Sequence, residues 1–228
     1  MTRKEQDIKR DVRICLDENP SSTALLGNVD TLKLEEIIDS KIEDAALAVI
    51  NAAPFEKLGD ISESLVGEIE IQPKAPYIGK MVMPSGFARL VRFKMKSWKR
   101  AVYGAQPTLS PLYEQAYSGY NVRGTKERPL VFLVPVGTAE EFGTGLQLEF
   151  FCAGSATDTL DGCLYVKKPT KIPLDLDGSD PASTWEMELG DKLYRPTVYY
   201  AAYLTALDVR DTQAAEALMA VVKELLEN

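Results

Sequence analysis

The chain contains no histidine. That absence removes Ser-His-Asp and Cys-His nucleophile systems, His-ligated zinc and histidine pH switches. Catalysis would have to rest on carboxylates, Lys, Tyr or a bound metal. The carboxylates are poorly spaced for it. Asp175, Asp177 and Asp180 alternate in PLDLDGSDP much as in a calcium loop. A loop opening at Asp175, however, places Asp180 where the turn requires Gly, so the stretch reads as a turn-rich linker. Glu140 and Glu141 are adjacent and would point apart in a strand, which is a poor acid/base arrangement. The segment 137–145, GTAEEFGTG, lacks the Gly-Lys-Ser/Thr ending of a phosphate loop and precedes strand-like sequence. It reads as a hairpin connection. Cys15, Cys152 and Cys163 are widely spaced with no C-x-x-C, so they read as small buried hydrophobes in a reducing compartment. No catalytic, metal or cofactor residue is assigned, and no enzyme is expected. A metal-dependent hydrolase would need a carboxylate cluster that the sequence does not display.

The feature that remains is cationic. Leu90 to Trp98 is the clearest strand: Val91, Phe93 and Met95 point one way, and Arg92, Lys94, Lys96 and Trp98 the other. With Arg100 this forms a basic, aromatic-bearing strip. Such a strip can hold phosphates and stack bases, can meet an acidic surface on another subunit, or can be a solvated outer face whose lysines discourage edge pairing. The charge around it is uneven. The net is −8, but residues 74–129 carry 11 Lys and Arg against 2 Asp and Glu, a net of +9. Residues 1–73 carry 8 against 16 and residues 130–228 carry 7 against 16, so the flanks are −8 and −9.

The elements that position this strip follow from periodicity. Ile8, Val12, Cys15 and Leu16 predict a helix over 3–18, ended by Asn19-Pro20. A linker leads to Asp30 or Thr31, either able to cap a helix running to Ala53 with the stripe Leu34, Ile37, Ile38, Ile42, Ala45, Val49. From 66 to 170 the period becomes two, with strands at 67–71, 90–98, 129–136, 146–152 and 164–168. Residues 104–128 read as a long irregular excursion. Helix returns near Pro196, placed in a first turn, and continues to Leu207. Asp211 can cap a last helix whose stripe is Ala215, Leu218, Met219, Val222, Leu225 and Leu226. The expected fold is α+β. Two N-terminal and two C-terminal helices (1–60 and 194–228) form a terminal helical bundle, and an inserted antiparallel β-sandwich or small barrel occupies 61–193. At 228 residues, 45% apolar and 26% charged, the chain can bury a core. The charged start MTRKEQDIKRDVR lacks a signal peptide's apolar stretch, and no run nears the about 18 apolar residues of a membrane span, so a soluble cytoplasmic product is expected.

One stretch carries a resemblance. Met83 to Val102 reads MPSGFARLVRFKMKSWKRAV; Ser110 to Gln115 reads SPLYEQ; Asn121 to Pro129 reads NVRGTKERP. This resembles the ring, or head-to-tail adaptor, proteins of short-tailed phages, especially crAss-like phages and related Bacteroides prophages. They carry a similar P-x-x-F-x-R-L-V-x-F-K-M-x-x-W-K-R-x-V, a downstream S-P-x-Y-x-x-Q and an R-G-x-x-x-x-P. Ala101 stands where that pattern usually has Pro. The segment 196–226 is similar to the Tyr/Ala-rich helical pair that ends such proteins. The resemblance implies a structural virion protein without catalysis, assembled as a homo-oligomeric ring, typically of twelve copies, below the portal. Such a ring extends the DNA channel and docks the next tail component. The implied partners are the portal protein, the adjacent tail ring and passing double-stranded DNA held without sequence specificity, with no membrane. The implied location is the head–tail junction of the virion, after assembly in the host cytoplasm. The resemblance brings no contact residues with it. The charge argument selects Arg92, Lys94, Lys96, Trp98, Lys99, Arg100, Arg123, Lys126 and Arg128 as candidate subunit-interface residues. The alternative expectation is a DNA-binding accessory protein using the basic strand at 90–100.

Overall fold

The structure is a computed structural model that describes residues 1–18, 31–75, 77–118, 124–136, 145–174 and 183–227. Residues 19–30 (read as a linker), Arg123, residues 137–144 (read as a hairpin connection) and the aspartates at 175–180 lie outside the described residues. Along the chain come strand β1 (Thr2–Lys4), helix α1 (Glu5–Glu18) and helix α2 (Thr31–Ala52). Then follow β2 (Ser62–Ser64), β3 (Glu70–Ile71), β4 (Gly79–Val82), β5 (Phe87–Met95), β6 (Gln106–Pro107), α3 (Pro111–Ser118), β7 (Val131–Pro135), β8 (Leu146–Phe150) and β9 (Leu160–Lys167). The chain ends with β10 (Ile172–Pro173), β11 (Trp185–Glu188), α4 (Asp191–Asp208) and α5 (Thr212–Glu227). The fold is mixed α+β, with five helices and three sheets among the described residues. None of the sheets closes into a barrel. Among the described residues all strand pairings are antiparallel except the two-residue parallel pair β6–β7.

The chain divides into two compact units, 1–61 with 168–228, and 62–167. The expected insertion was 61–193; the inserted unit instead ends at Lys167. The reason is a sheet with no local sequence signature. Strand β11 pairs with β1 on one side and β10 on the other, drawing 168–193 to the helices.

In the first unit α4 packs against α1, α2 and α5. Its buried residues include Ala201, Ala202 and Ala206, small enough to let neighbours approach closely. The stripes read from the sequence face this core: Ile8, Val12, Cys15 and Leu16 on α1; Ile38, Ile42 and Ala45 on α2; Ala215 and Leu218 on α5. Helix α4 begins at Asp191 rather than near Pro196, so Pro196 lies inside the helix and offers no N–H to the carbonyl of Lys192. The turn to α5 is tight because Arg210 adopts φ 63° and the Asp211 carboxylate accepts the Ala214 N–H at 3.0 Å.

One polar network ties these elements together. Asp39 on α2 accepts from Lys171 (2.6 Å), Lys9 (3.0 Å) and the Trp185 indole N–H (3.1 Å). Burial pushes its carboxyl up, but the hydrogen bonds from Lys171 and Lys9 outweigh that and hold it below the ordinary carboxylate value. Glu5, bonded to Lys9 and to Thr184, is depressed by the same balance. A carboxyl depressed on folding contributes stability that is present above its unfolded pKa and lost as pH falls through the folded one. Acid titration followed by circular dichroism should therefore show the helical unit losing stability below about pH 4. Asp39→Asn should flatten that slope and cost about 1–2 kcal/mol at neutral pH, between the worth of an exposed and a buried pair.

The second unit holds two sheets, ordered β2-β9-β5 and β3-β4-β8-β7-β6. Alternation assigns their faces. Leu148, Phe150, Val131 and Met81 share a core with Phe93, Met95 and Cys163. The opposite face of the larger sheet presents Lys80, Glu149 and Phe132, which are cross-strand neighbours. The segment 104–128, expected to be irregular, supplies β6 and α3. Helix α3 starts at SPLYEQ by ordinary capping: Ser110 Oγ accepts the Leu112 N–H (3.4 Å) and Pro111 fills the first helical position. It brings Tyr113, Ala116 and Tyr117 against Phe132 and Phe151. The hydroxyls of Tyr113 (3.0 Å) and Tyr117 (2.5 Å) both donate to Glu149, as does the Gln147 amide (3.0 Å), and Lys80 lies 3.5 Å away.

Candidate functional site

The described cationic-strip candidates, all of the nine but Arg123, separate in space. Strand β5 is buried at Val91, Phe93 and Met95, as its alternation requires. Its register against β9 shifts three times, and it ends at Met95. Trp98 is therefore not on the cationic face. The Trp98 N–H donates to the Met95 carbonyl, closing a turn that swings the indole into the core, where it is 2% exposed. There it meets Phe93 and Phe150 edge-on, and its ring N–H donates to the Cys152 carbonyl at 3.0 Å. Leu90, which strict alternation puts on the same side as Arg92, is buried as well.

Two groups of charge remain. Arg92, Lys94 and Lys96 gather around Asp161 on β9: Lys94 Nζ lies 3.0 Å and Arg92 3.9 Å from one carboxylate oxygen. The hydrogen bond from Lys94 and its charge, aided by Arg92 and Lys96, hold the Asp161 carboxyl below its ordinary value. The second group comes from two turns distant in sequence. The Lys99 N–H donates to the Lys126 carbonyl (3.0 Å), Lys99 Nζ pairs with Glu127 (2.9 Å), and Arg100 Nε donates to the Glu127 carbonyl. Lys99, Arg100, Lys126 and Arg128 are all exposed. Lys99 thus holds the Glu127 carboxylate and Arg100 its carbonyl, with Lys126 and Arg128 on either side of Glu127 in the chain. The hydrogen bond from Lys99, followed by those from its own backbone and Thr125, pushes the Glu127 carboxyl down to about 2. Exposed pairs of this kind stabilise little, so the surplus positive charge stays available to a partner.

Cys152 clasps both turns. Its backbone has φ 67°; its carbonyl takes the Trp98 N–H, and its thiol donates to the Gly124 carbonyl at 2.7 Å. Gly124 itself has φ 82°, and a Cβ there would lie 2.8 Å from the Arg128 carbonyl oxygen. Only Gly fits the turn that presents Lys126 and Arg128. Sequence reasoning missed the counter-ions Asp161 and Glu127. Glu127 could have been noticed as the lone acid between Lys126 and Arg128; Asp161 carried no local signal. Among the described residues, no group of three or more Cys, Asp or Glu is placed to hold a metal ion. No described helix is long and apolar enough to cross a membrane. No protein-family model matches the chain, and no curated protein matches it. The functional reading therefore rests on the residues themselves.

Proposed function

We propose that this chain is a structural subunit of a phage head-to-tail junction. It is an adaptor that assembles as a homo-oligomeric ring below the portal, continues the DNA channel and docks the next tail component. The observation that carries this reading is the block at 83–130. Three separate stretches of it resemble phage adaptors, and each has a definable physical task here. Phe87 to Met95 forms the long strand, Ser110 and Pro111 start α3, and Gly124 makes the turn that sets Lys126 and Arg128 beside Lys99 and Arg100.

In this reading α1, α2, α4 and α5 form the terminal bundle, and the two sheets form a sandwich-like insert. The chain works by assembly, not by catalysis. An acidic net charge of −8 suits a channel that lets DNA slide without gripping it. A ring needs two different, complementary sides on each subunit, and a cationic side set against an acidic one provides them.

Quantitative mass spectrometry of particles purified from the encoding phage should find the chain in fixed ratio to the portal protein. A chain absent from particles and present only as a free intracellular monomer overturns the reading. The DNA-binding alternative makes a different prediction: steeply salt-dependent DNA affinity that disappears on Lys94→Glu with Lys96→Glu. The adaptor reading expects those changes to impair assembly.

A further inference from the structure

The molecule carries an exposed apolar projection on one unit and an exposed apolar groove on the other. The projection is Leu109, 95% exposed just before α3, with Leu112, 39% exposed on its first turn. Neither contributes to the cores of the 62–167 unit, which α3 reaches through Tyr113, Ala116 and Tyr117. A leucine that projects almost fully into water, next to a second on a helix held largely by aromatic edges, has the form of a docking knob. The groove lies between α4 and α5 in the other unit. It measures about 410 Å³ and is lined by Tyr203, Leu207, Ala215, Met219 and Ala220, and also by Glu216 and Lys223. Leu207 and Ala220 on its walls are exposed.

We infer that the Leu109–Leu112 knob of one copy seats in the α4/α5 groove of the next copy. Charge favours a second copy as the occupant. The unit with the groove carries 14 Lys and Arg against 24 Asp and Glu, a net of −10; the unit with the knob carries 12 against 10, a net of +2. The exposed cations Lys99, Arg100, Lys126 and Arg128 belong to the knob's unit. Such a pairing is attractive between unlike units and repulsive between two helical units, so it favours knob unit on groove unit over helical unit on helical unit. A head-to-tail contact is the kind that closes rings or grows filaments. The inference rests on the assembly reading above and adds its contact surfaces.

Head-to-tail geometry makes a test that symmetric contacts cannot imitate. Leu109→Asp removes the knob and leaves the groove; Ala220→Arg fills the groove and leaves the knob. Both positions are exposed, so both full-length variants should fold, which circular dichroism checks. By native mass spectrometry and sedimentation, the natural chain should assemble beyond a dimer. Each variant alone should need at least about tenfold higher concentration to associate, the scale of losing one anchor residue. Mixed in equal amounts, the two variants should form a 1:1 dimer that does not grow, because each pair has one intact knob and one intact groove. The inference is overturned if either variant assembles like the natural chain, if the mixture stays monomeric, or if the natural chain does not assemble beyond a dimer at any concentration. Variants that assemble normally from a chain found in particles would overturn this contact and leave the adaptor reading intact. A capped dimer from a chain absent from particles would do the reverse.

Discussion

Replacing Glu149 with Ala should destabilise the 62–167 unit by about 3–5 kcal/mol, the range for breaking a buried charged network by removing one member. Glu149 is 4% exposed, on the face of β8 that α3 covers. Its carboxylate accepts from Tyr113, Tyr117 and Gln147, and Lys80 stands opposite it across the strand pair. Burial raises both tyrosine hydroxyls above their ordinary value and the bonds to this carboxylate add to it, so they remain donors throughout the physiological range. Truncation to Ala leaves three donors without their acceptor and a void beside Phe132. Glu149→Gln keeps the shape and one acceptor oxygen and should cost about 1–2 kcal/mol. The chain has two tryptophans, one in each unit, which makes the measurement direct. Denaturant unfolding followed through Trp98 in a Trp185→Phe background reports this unit. Hydrogen exchange should show α3 losing protection first in Glu149→Ala. A loss below 1 kcal/mol would mean that the tyrosines hold α3 by packing alone. Because α3 carries Leu112, the same variant should also weaken assembly.

Gly79→Ala should be comparably severe, at about 3–5 kcal/mol, although it adds a single methyl group. Gly79 faces Phe150 directly across the β4–β8 pair. A Cβ at that position would lie 2.0 Å from the Phe150 ring, far inside contact distance. The ring has nowhere to go. It is fully buried, with Phe93 at 5.0 Å and Trp98 at 6.1 Å between centroids. Overpacking costs typically about 1–3 kcal/mol, and displacing a core Phe approaches the cost of deleting it. Phe150→Leu in the same chain shortens the clashing side chain, so the double variant should be more stable than Gly79→Ala alone. Additive losses in that double-mutant cycle would show that the two sites do not touch. The anchoring of Trp98, and through it the Lys99–Arg100 turn, depends on this aromatic cluster. Gly79→Ala should therefore also blunt the cationic surface.

How far the sequence reached follows from the range of each interaction. Helices α1, α2 and α5 were legible because their stripes repeat within a few residues and each helix satisfies its own backbone. The alternation at Val91, Phe93 and Met95 was legible for the same reason. Extending it to Trp98 failed because periodicity does not reveal where a strand stops, and the turn after Met95 reverses the direction of the next side chain. The SPLYEQ start of α3 was present in the letters as a cap followed by Pro, yet the helix is short and its apolar partners, Phe132 and Phe151, lie in other strands. The candidate site divides in the same way. The sequence alone determined that positive charge concentrates in 74–129, that histidine chemistry is absent, and that the ends are helical with strands between. Only the tertiary structure decided that Lys99 and Arg100 meet Lys126 and Arg128 while Trp98 turns inward, and that β1 pairs with β11 across most of the chain. Strand pairing and turn-to-turn contacts place hydrogen bonds between residues distant in sequence, and no local pattern of residue types encodes which distant backbone will supply the partner.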